Sequence, residues 1–411
     1  MATHAVPNLR PRLQANSAKA AILVTACCGV FFSFASVVVY TFGIFLKPLA
    51  GTFHWSRTQV SFAFTLAALT IAVCSPFIGH LLDRFAARRI VLPATIVYGA
   101  AFGSLAFLTP HLWHLYSVFV LLGAVGNATT QLAYARVVSA WFDRHRGQAL
   151  AAVMAGSGLG SMAFPPIAQE LISAYGWRMA YGALGLLILA VAVPLAGVFL
   201  HEPEGASAQK TAFAEKKTAG GNIRSPVFLG IATALLLFSF ATNGLNAHWA
   251  ALLTDGGATA AEAALILSVA GAATLSGKLG TGYLLDRFRA NRVAAVLLAF
   301  CALGFVLVVH GHIWPLAISS AILVGIGMGA ESDVTPYLLT RYFGLEHFGA
   351  LYGYTWCVYA VAGAMGPVVM GSVFDYTGSY RAVLVVSIAM VVAASLIFGL
   401  LARYPPPVAR G

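Results

Sequence analysis

Hydrophobic residues along this chain fall into long runs separated by short polar breaks, at about 20–46, 57–82, 90–109, 112–140, 148–173 and 178–200, then 226–253, 262–285, 292–310, 314–340, 348–374 and 380–403. Each run approaches or exceeds the roughly 20 apolar residues an α-helix needs to cross a hydrocarbon core about 30 Å thick. The pattern predicts an all-α polytopic membrane protein with twelve transmembrane helices. The longest polar segment, from Glu202 to Ser225, divides the runs into two sets of six and reads as a linker without a fold of its own.

Composition strengthens that reading. Of 411 residues, 60% are hydrophobic and 9% charged, and mean hydropathy is +0.84, far outside the range of soluble domains. A net charge of +11 would suggest a nucleic-acid partner in a soluble protein. Here the basic residues concentrate on alternate loops, which leaves Lys47, Arg57, Arg178 and Arg381 on the opposite side. The asymmetry predicts that both termini are cytoplasmic, with lipid and no nucleic acid as partner. The expected organisation is an N-terminal tail (1–19), a first bundle (20–200), a linker (201–225), a second bundle (226–403) and a short C-terminal tail (404–411). The first run is too long for a signal-peptide core. Cys27, Cys28, Cys74, Cys301 and Cys357 all lie within apolar runs and read as small buried residues, without disulfides or metal-ligand spacing.

The two sets of runs repeat one another. GHLLDRFAARR, with Asp83 and Arg84, returns about two hundred residues later as GYLLDRFRANR, with Asp286 and Arg287. At the same offset Trp141 and Phe142 match Tyr342 and Phe343, Pro165 matches Pro367, and Trp177-Arg178 matches Tyr380-Arg381. Six spans repeated in parallel orientation give two pseudo-symmetric six-helix bundles. A carboxylate at the end of the second or eighth span can dock on the positive N-terminus of a helix from the other bundle and let go when the bundles rock apart. Asp83 is therefore expected near Phe348 and Gly349, and Asp286 near Gly147.

Ionisable residues deep in a membrane are costly and mark cavities or partners. Lys278 lies eight residues before Asp286, about 12 Å from the end of its helix. Glu331 lies ten residues before Arg341, about 15 Å deep, with Asp333 slightly shallower. The three share a depth near the midplane. Arg136 in the fourth span is a candidate partner for Asp333 or Glu331 across the cavity. Asn243, Asn246 and His248 recur at near-helical spacing in the seventh span, and His248 can serve as a proton relay toward Asp255. Tyr40, Gln131 and Tyr134 offer hydroxyl or amide donors, and Tyr337, Trp356 and Tyr359 offer walls. GSGLG, containing Gly156, Gly158 and Gly160, sits inside a span and is not a nucleotide loop. The histidines near the loops, His111, His114, His310 and His312, form no metal set. With no catalytic triad, thiol-base pair or phosphate loop, the chain does not read as an enzyme, and no cofactor or metal is expected.

The duplicated Asp-Arg loops resemble the loop signature of the major facilitator superfamily, and WFDRHRGQALA resembles its second signature. YTFGIFLKPLAGTFHWSRTQVS, GWRMAY and GAESDVTPYLLTRYFGLEHFGALYG resemble bacterial members of the monocarboxylate-porter branch. The resemblance implies a secondary active transporter of small monocarboxylates such as lactate or pyruvate, in a plasma membrane of the bacterial inner-membrane type, coupled to protons, alternating access around a midplane site and acting as a monomer. It places Lys278 in the slot of a cation, usually arginine, that binds the substrate carboxylate. The branch's eukaryotic members carry an aspartate where this chain has Thr274, and a first-span lysine where it has Tyr40. Glu331, Asp333 and His248 are then the candidates for the proton, since an anion captured by Lys278 weakens that lysine's hold on ionised carboxylates. The rival readings are an anion exchanger resembling the oxalate and formate antiporters, an efflux transporter of hydrophobic compounds, and a membrane sensor that does not transport.

Overall fold

The computed structural model describes residues 9–142, 146–201, 223–310, 313–344 and 347–402; within these, the side chains of residues 9–17, Asp83, Leu132 and Arg146 lie outside the description. Most of the predicted linker, most of the C-terminal tail and part of WFDRHRGQALA and of GLEHFGALYG therefore fall outside the described residues. The described residues are helices joined by short turns, without strands. In order the helices are α1 (Leu9–Phe31), α2 (Phe34–Phe53), α3 (Arg57–Arg84), α4 (Ala87–Ser104), α5 (Leu112–Gly126), α6 (Gln131–Trp141), α7 (Arg146–Leu187) and α8 (Val193–Phe199). After the linker come α9 (Pro226–Asp255), α10 (Ala260–Arg287), α11 (Ala290–Val308), α12 (Trp314–Phe343), α13 (Phe348–Thr377) and α14 (Arg381–Leu400).

Eleven helical stretches among the described residues are long and apolar enough to cross a membrane. One of these, Gly147–Phe199, has 53 residues, about 80 Å of helix and more than twice one crossing. Its path breaks at Gly176, whose φ of 79° and ψ of 163° are not helical. Gly378, at φ 69°, stops α13 at the corresponding place in the second half. A residue with a side chain adopts such positive φ values only at a steric cost, so the position is suited to glycine.

Local sequence sets the other ends. Ser56 accepts from the Gln59 amide while the Gln59 side chain accepts from Ser56, and Thr259 and Glu262 repeat this box at the start of α10. The helices that follow are each 28 residues long. α12 spans 30 residues, as do α5 and α6 taken together over 112–141. Each second copy starts 202 or 203 residues after the first. The repeat read in the motifs is thus a repeat of helix lengths.

Two of the predicted continuous runs are interrupted. α1 reaches back to Leu9, into the expected tail, and the first run breaks at Phe32 and Ser33. The 112–140 run breaks at Asn127–Thr129, a tight turn of 3-10 helix. Side chains stand in for the missing backbone bonds: Ser36 Oγ donates to Val30 O at 2.9 Å, and Thr129 Oγ1 donates to Gly126 O at 2.7 Å. The breaks also meet, since Phe34 N donates to Thr129 Oγ1 at 3.4 Å. Broken helices are tolerated at membrane depth where protein supplies such partners.

Helices pack closely wherever small residues face one another. Among the C-terminal helices α10 lies on α12, α11 on α12 and α14, and α9 on α13 and α14; contacts across the chain join α3 to α13, α7 to α10 and α2 to α9. A Cβ at Gly325 would run into Ala270 O, one at Gly277 would lie 2.5 Å from Ile326 O, and one at Gly329 would run into Thr274 O and lie 2.8 Å from Lys278 N. Each would strike backbone, so α10 and α12 touch at a distance only glycine allows. Cys301 is fully buried, as expected for all five cysteines, and packs on Gly327 from α11, but Cys27, Cys28 and Cys74 are half-buried and Cys357 is exposed.

Gly329→Ala is therefore expected to destabilise the detergent-solubilised protein by about 1–3 kcal/mol through overpacking. Gly147→Ala, where a Cβ meets nothing within 4 Å, should be neutral or slightly stabilising because alanine favours the helix. Thermal-unfolding midpoints of the two variants check this contrast, and equal midpoints would show that the α10–α12 contact yields easily.

Candidate functional site

The glycine contact between α10 and α12 sets the first element of the site. It holds the backbone of Lys278 against Gly329, two residues before Glu331 and four before Asp333. Lys278 is half-buried and faces both carboxylates electrostatically. It bonds to neither: the ion pairs within 4 Å among the described residues are Lys47–Asp255 and Arg57–Asp255. Glu331 Oε1 instead accepts from Thr335 Oγ1 at a long 3.4 Å. The ammonium is thus attracted to two acids without being tied to either, and it retains donors for an anion.

Other helices close in around this group. The Tyr40 side chain on α2 lies against those of Thr274 and Ser161, so the residues expected as counterparts of a lysine and an aspartate meet as neutral neighbours. Tyr359 on α13 faces Glu331, Tyr40, Asn243 and Ser239. Asn243 Nδ2 donates to Ser239 O at 3.0 Å, and Ser239 Oγ donates to Tyr359 O at 2.7 Å. Trp356 stacks on Tyr359 with ring centroids 5.5 Å apart. Tyr352, which sequence reasoning missed, faces both Glu331 and Asp333. Its signal was a spacing of seven residues before Tyr359, two helical turns that put both phenols on one face of α13.

Several expected residues lie elsewhere. Asn246 Nδ2 donates to Val39 O at 3.0 Å and so ties α9 to α2. Tyr337 approaches Leu285 O at 3.5 Å near the far end of α10, a packing position outside the midplane group. Gln131 is exposed at the first turn of α6, and Arg136 is half-buried on the same helix. The groups facing Glu331 and Asp333 include Lys278, hydroxyls and one another. Arg84, Asp286 and Arg287 are exposed, while the Asp83 side chain lies outside the described residues. A Cβ added at Gly147 or Gly349 would meet nothing within 4 Å, as at Gly51 and Gly257 at the other end.

The pseudo-repeat gives the site a neutral twin. Ser75 stands 203 residues before Lys278, and Asn127 stands 202 before Gly329. Asn127 Nδ2 donates to Ser75 Oγ at 2.7 Å. One half therefore places an amide-hydroxyl pair where the other places a cation between two acids.

The opposite end of the molecule is bonded shut. Asp255 at the end of α9 accepts from Lys47 Nζ at 2.8 Å and from Arg57 Nη1 at 2.6 Å. The Arg57 guanidinium lies 3.6 Å from the Phe374 ring centroid, a cation–π contact. Asp375 of α13 accepts from the backbone amides of Arg57 and Thr58 at 3.1 and 2.9 Å. A carboxylate on the N-terminus of a helix from the other half is the device expected at Asp83 and Asp286, found here at the other end of the helices. The expectation missed it because Asp375 has no acidic repeat mate: Ser173 stands 202 residues earlier.

His248 is sealed within this end, with no exposed surface. Nε2 lies 2.8 Å from Pro367 O and 3.0 Å from Ser61 Oγ, and Nδ1 lies 2.9 Å from the Tyr380 hydroxyl. Tyr380 also accepts from Arg57 Nη1 at 2.6 Å. The predicted relay residue is thus hydrogen-bonded to the network that joins the two halves.

Comparison with known proteins agrees with the fold. The profile of the Major Facilitator Superfamily matches residues 26–367 and 229–411. The chain is 24% identical over 376 residues to the uncharacterized MFS-type transporter YcxA of Bacillus subtilis, with 87% of this chain and 89% of the relative covered. It is 29% identical over 380 residues to monocarboxylate transporter 13 of Bos taurus, covering 89% of this chain and 86% of the relative. Among solved structures, a mutant form of the nucleoside transporter NupG superposes with a TM-score of 0.78 at 12% identity, covering 94% of this chain and 100% of that one. An inward-facing, occupied bacterial homolog of the human lysosomal transporter Spinster gives 0.70 at 14% identity, covering 96% and 99%. Helices that span a membrane, a duplicated helix pattern and a family match along nearly the whole length leave one assignment: the chain is an integral membrane protein of the major facilitator superfamily, a transporter and not an enzyme.

Proposed function

We propose that this protein is a proton-coupled transporter of small monocarboxylates, built as two six-helix bundles with twelve spans that rock around a midplane site. Counting the Gly147–Phe199 stretch as two crossings, broken at Gly176, supports twelve. Both termini are then cytoplasmic, as charge asymmetry requires, and the Asp255 end faces outward. On this reading the state bonded at Asp255 and Asp375 is inward-facing.

The observation that carries this reading is Lys278: half-buried, facing Glu331 and Asp333, and bonded to neither. A monocarboxylate binding to the ammonium partly cancels the field that holds the two acids ionised. A proton then binds one of them more readily, so anion and proton load together. The lysine presents a point charge, which suits a small carboxylate without bidentate geometry. Tyr40, Asn243, Tyr352 and Tyr359 supply neutral hydrogen bonds and aromatic walls. Homologues named as monocarboxylate transporters support the substrate class at low identity.

Lys278→Ala should lower lactate or pyruvate uptake into proteoliposomes under an inward proton gradient at least tenfold, about 1.4 kcal/mol in binding terms, and Lys278→Arg should retain part of it. Full uptake by Lys278→Ala would overturn the assignment. Glu331→Gln should uncouple uptake from the proton gradient while leaving carboxylate exchange measurable; wild-type exchange indifferent to any proton gradient would instead support an antiporter.

Asp375→Ala removes the acceptor of the Arg57 and Thr58 amides. Membrane-impermeant reagents applied from the Asp255 side should label a cysteine at Ser372 faster in this variant than in an otherwise identical protein. Equal rates would show that the helix-terminus contact does not hold the outer side closed.

A further inference from the structure

We propose that the outer closure and the protonation of His248 exclude one another, so that acid on the Asp255 side holds the transporter open toward that side. The inference rests on the orientation proposed above and adds to it a named proton site with a conformational condition.

The hydrogen bonds assign the tautomer. Pro367 O is a carbonyl and can only accept, so the nitrogen 2.8 Å from it, Nε2, carries a hydrogen. In the neutral imidazole Nδ1 is then an acceptor, and the group 2.9 Å from it is the Tyr380 hydroxyl, which donates. The phenol oxygen accepts in turn from Arg57 Nη1 at 2.6 Å. One direction runs through the chain: Arg57 donates to Tyr380, Tyr380 to His248, and His248 to Pro367. Ser61 Oγ lies beside Nε2 at 3.0 Å.

A second proton would have to sit on Nδ1. It would point at a phenol oxygen that already points its own hydrogen at Nδ1, so Tyr380 would have to turn away and lose that bond. The imidazolium would also stand one hydroxyl from the Arg57 guanidinium, in a site sealed from solvent, where like charges repel strongly. The charged and titratable groups around it are Arg57 of α3, Asp375 of α13, Tyr380 and, behind Arg57, Asp255 of α9 with Lys47 of α2. Asp375 is occupied by the α3 amides and Thr58, and Asp255 by the two cations. Neither acid is within hydrogen-bonding distance of the ring, whose partners are Ser61, Pro367 and Tyr380.

Opening reverses each of these terms. When α3 leaves α13 and α9, Arg57 leaves Tyr380, the phenol turns, and Nδ1 meets water. His248 then titrates as histidine does, in the physiological range. Because the open state binds one more proton than the closed one, the ratio of open to closed rises by up to about tenfold for each unit fall in pH. The carrier is drawn toward the side where protons are abundant, before any anion binds, and closure requires the Nδ1 proton to leave.

The test follows conformation without substrate. Spin labels at Gly51→Cys and Tyr376→Cys, exposed positions on the two sides of the closure, are placed in a protein whose native cysteines are replaced by alanine, and their distance distribution is recorded from about pH 8 to about pH 5. A growing long-distance population on acidification is expected in the parent. His248→Gln, which keeps a donor and cannot titrate, should abolish the growth, and Tyr380→Phe should raise the long-distance population at the alkaline end by removing the hydroxyl that bridges Arg57 to the ring. A flat parent profile overturns the proposal. An unchanged response in His248→Gln also overturns it and assigns the titration to Asp255 or Asp375. Since no carboxylate is present, these outcomes are independent of uptake by the Lys278 variants: loss of the monocarboxylate reading leaves the pH response standing, and loss of the response leaves that reading standing.

Discussion

A polar group in the hydrocarbon core finds its partner in protein or goes without, and the details of this fold follow from that constraint. Serine and threonine hydroxyls along the helices return to carbonyls three or four residues back, as Thr274 does to Ala270 O at 2.8 Å and Thr242 to Phe238 O at 2.8 Å. Where backbone bonds are missing, at Ser33 and at Asn127–Thr129, the two breaks lie together and bond to one another. The places that do not follow this habit stand out. Lys278, Glu331 and Asp333 sit at one depth with their charges near each other and without an ion pair, an arrangement with capacity left for a ligand.

Duplication and divergence divide the labour. The two halves share helix lengths, capping boxes at Ser56 and Thr259, and the glycines that stop α13 and break α7. They differ in chemistry at equivalent positions. Ser75 with Asn127 is a satisfied neutral pair, while Lys278 beside Gly329 faces two acids. Gly329, in the place of Asn127, admits α10 closely enough to seat the lysine. Asp375 and Ser173 diverge in the same way, so one half carries the carboxylate that docks on the other half's helix end.

The chain therefore holds its two ends by different means. At the Asp255 end, charge pairs, a helix-terminus contact and a cation–π contact converge on Arg57. Partly exposed ion pairs of this kind contribute little one at a time. They gain weight here because the Asp255 pair, the Phe374 contact and the Tyr380–His248 chain share the Arg57 guanidinium, so releasing it disturbs all three. At the Asp286 end Arg84, Arg88, Arg89, Asp286 and Arg287 are exposed.

Much of this was legible in the residues alone. Hydrophobic run length alone identifies a membrane-spanning helical chain, and the Asp83-Arg84 and Asp286-Arg287 copies expose the repeat, because both signals are local. Depth along a helix is also local arithmetic, so Lys278, Glu331 and Asp333 could be placed at a common level before any fold was known. Lateral position is not local. That Lys278 faces both acids without bonding them, that Tyr352 joins the group while Tyr337 lies apart, and that Asp375 caps α3 depend on which helices touch and how they are rotated. The interruptions at Ser33 and Asn127 had no local signal strong enough to override continuous apolar runs, since each is stabilised by the other across the bundle. His248 shows the division within one residue: its type and depth suggested a titrating group, and only the tertiary structure, by setting it between a carbonyl, a phenol and an arginine, decided which nitrogen holds the hydrogen.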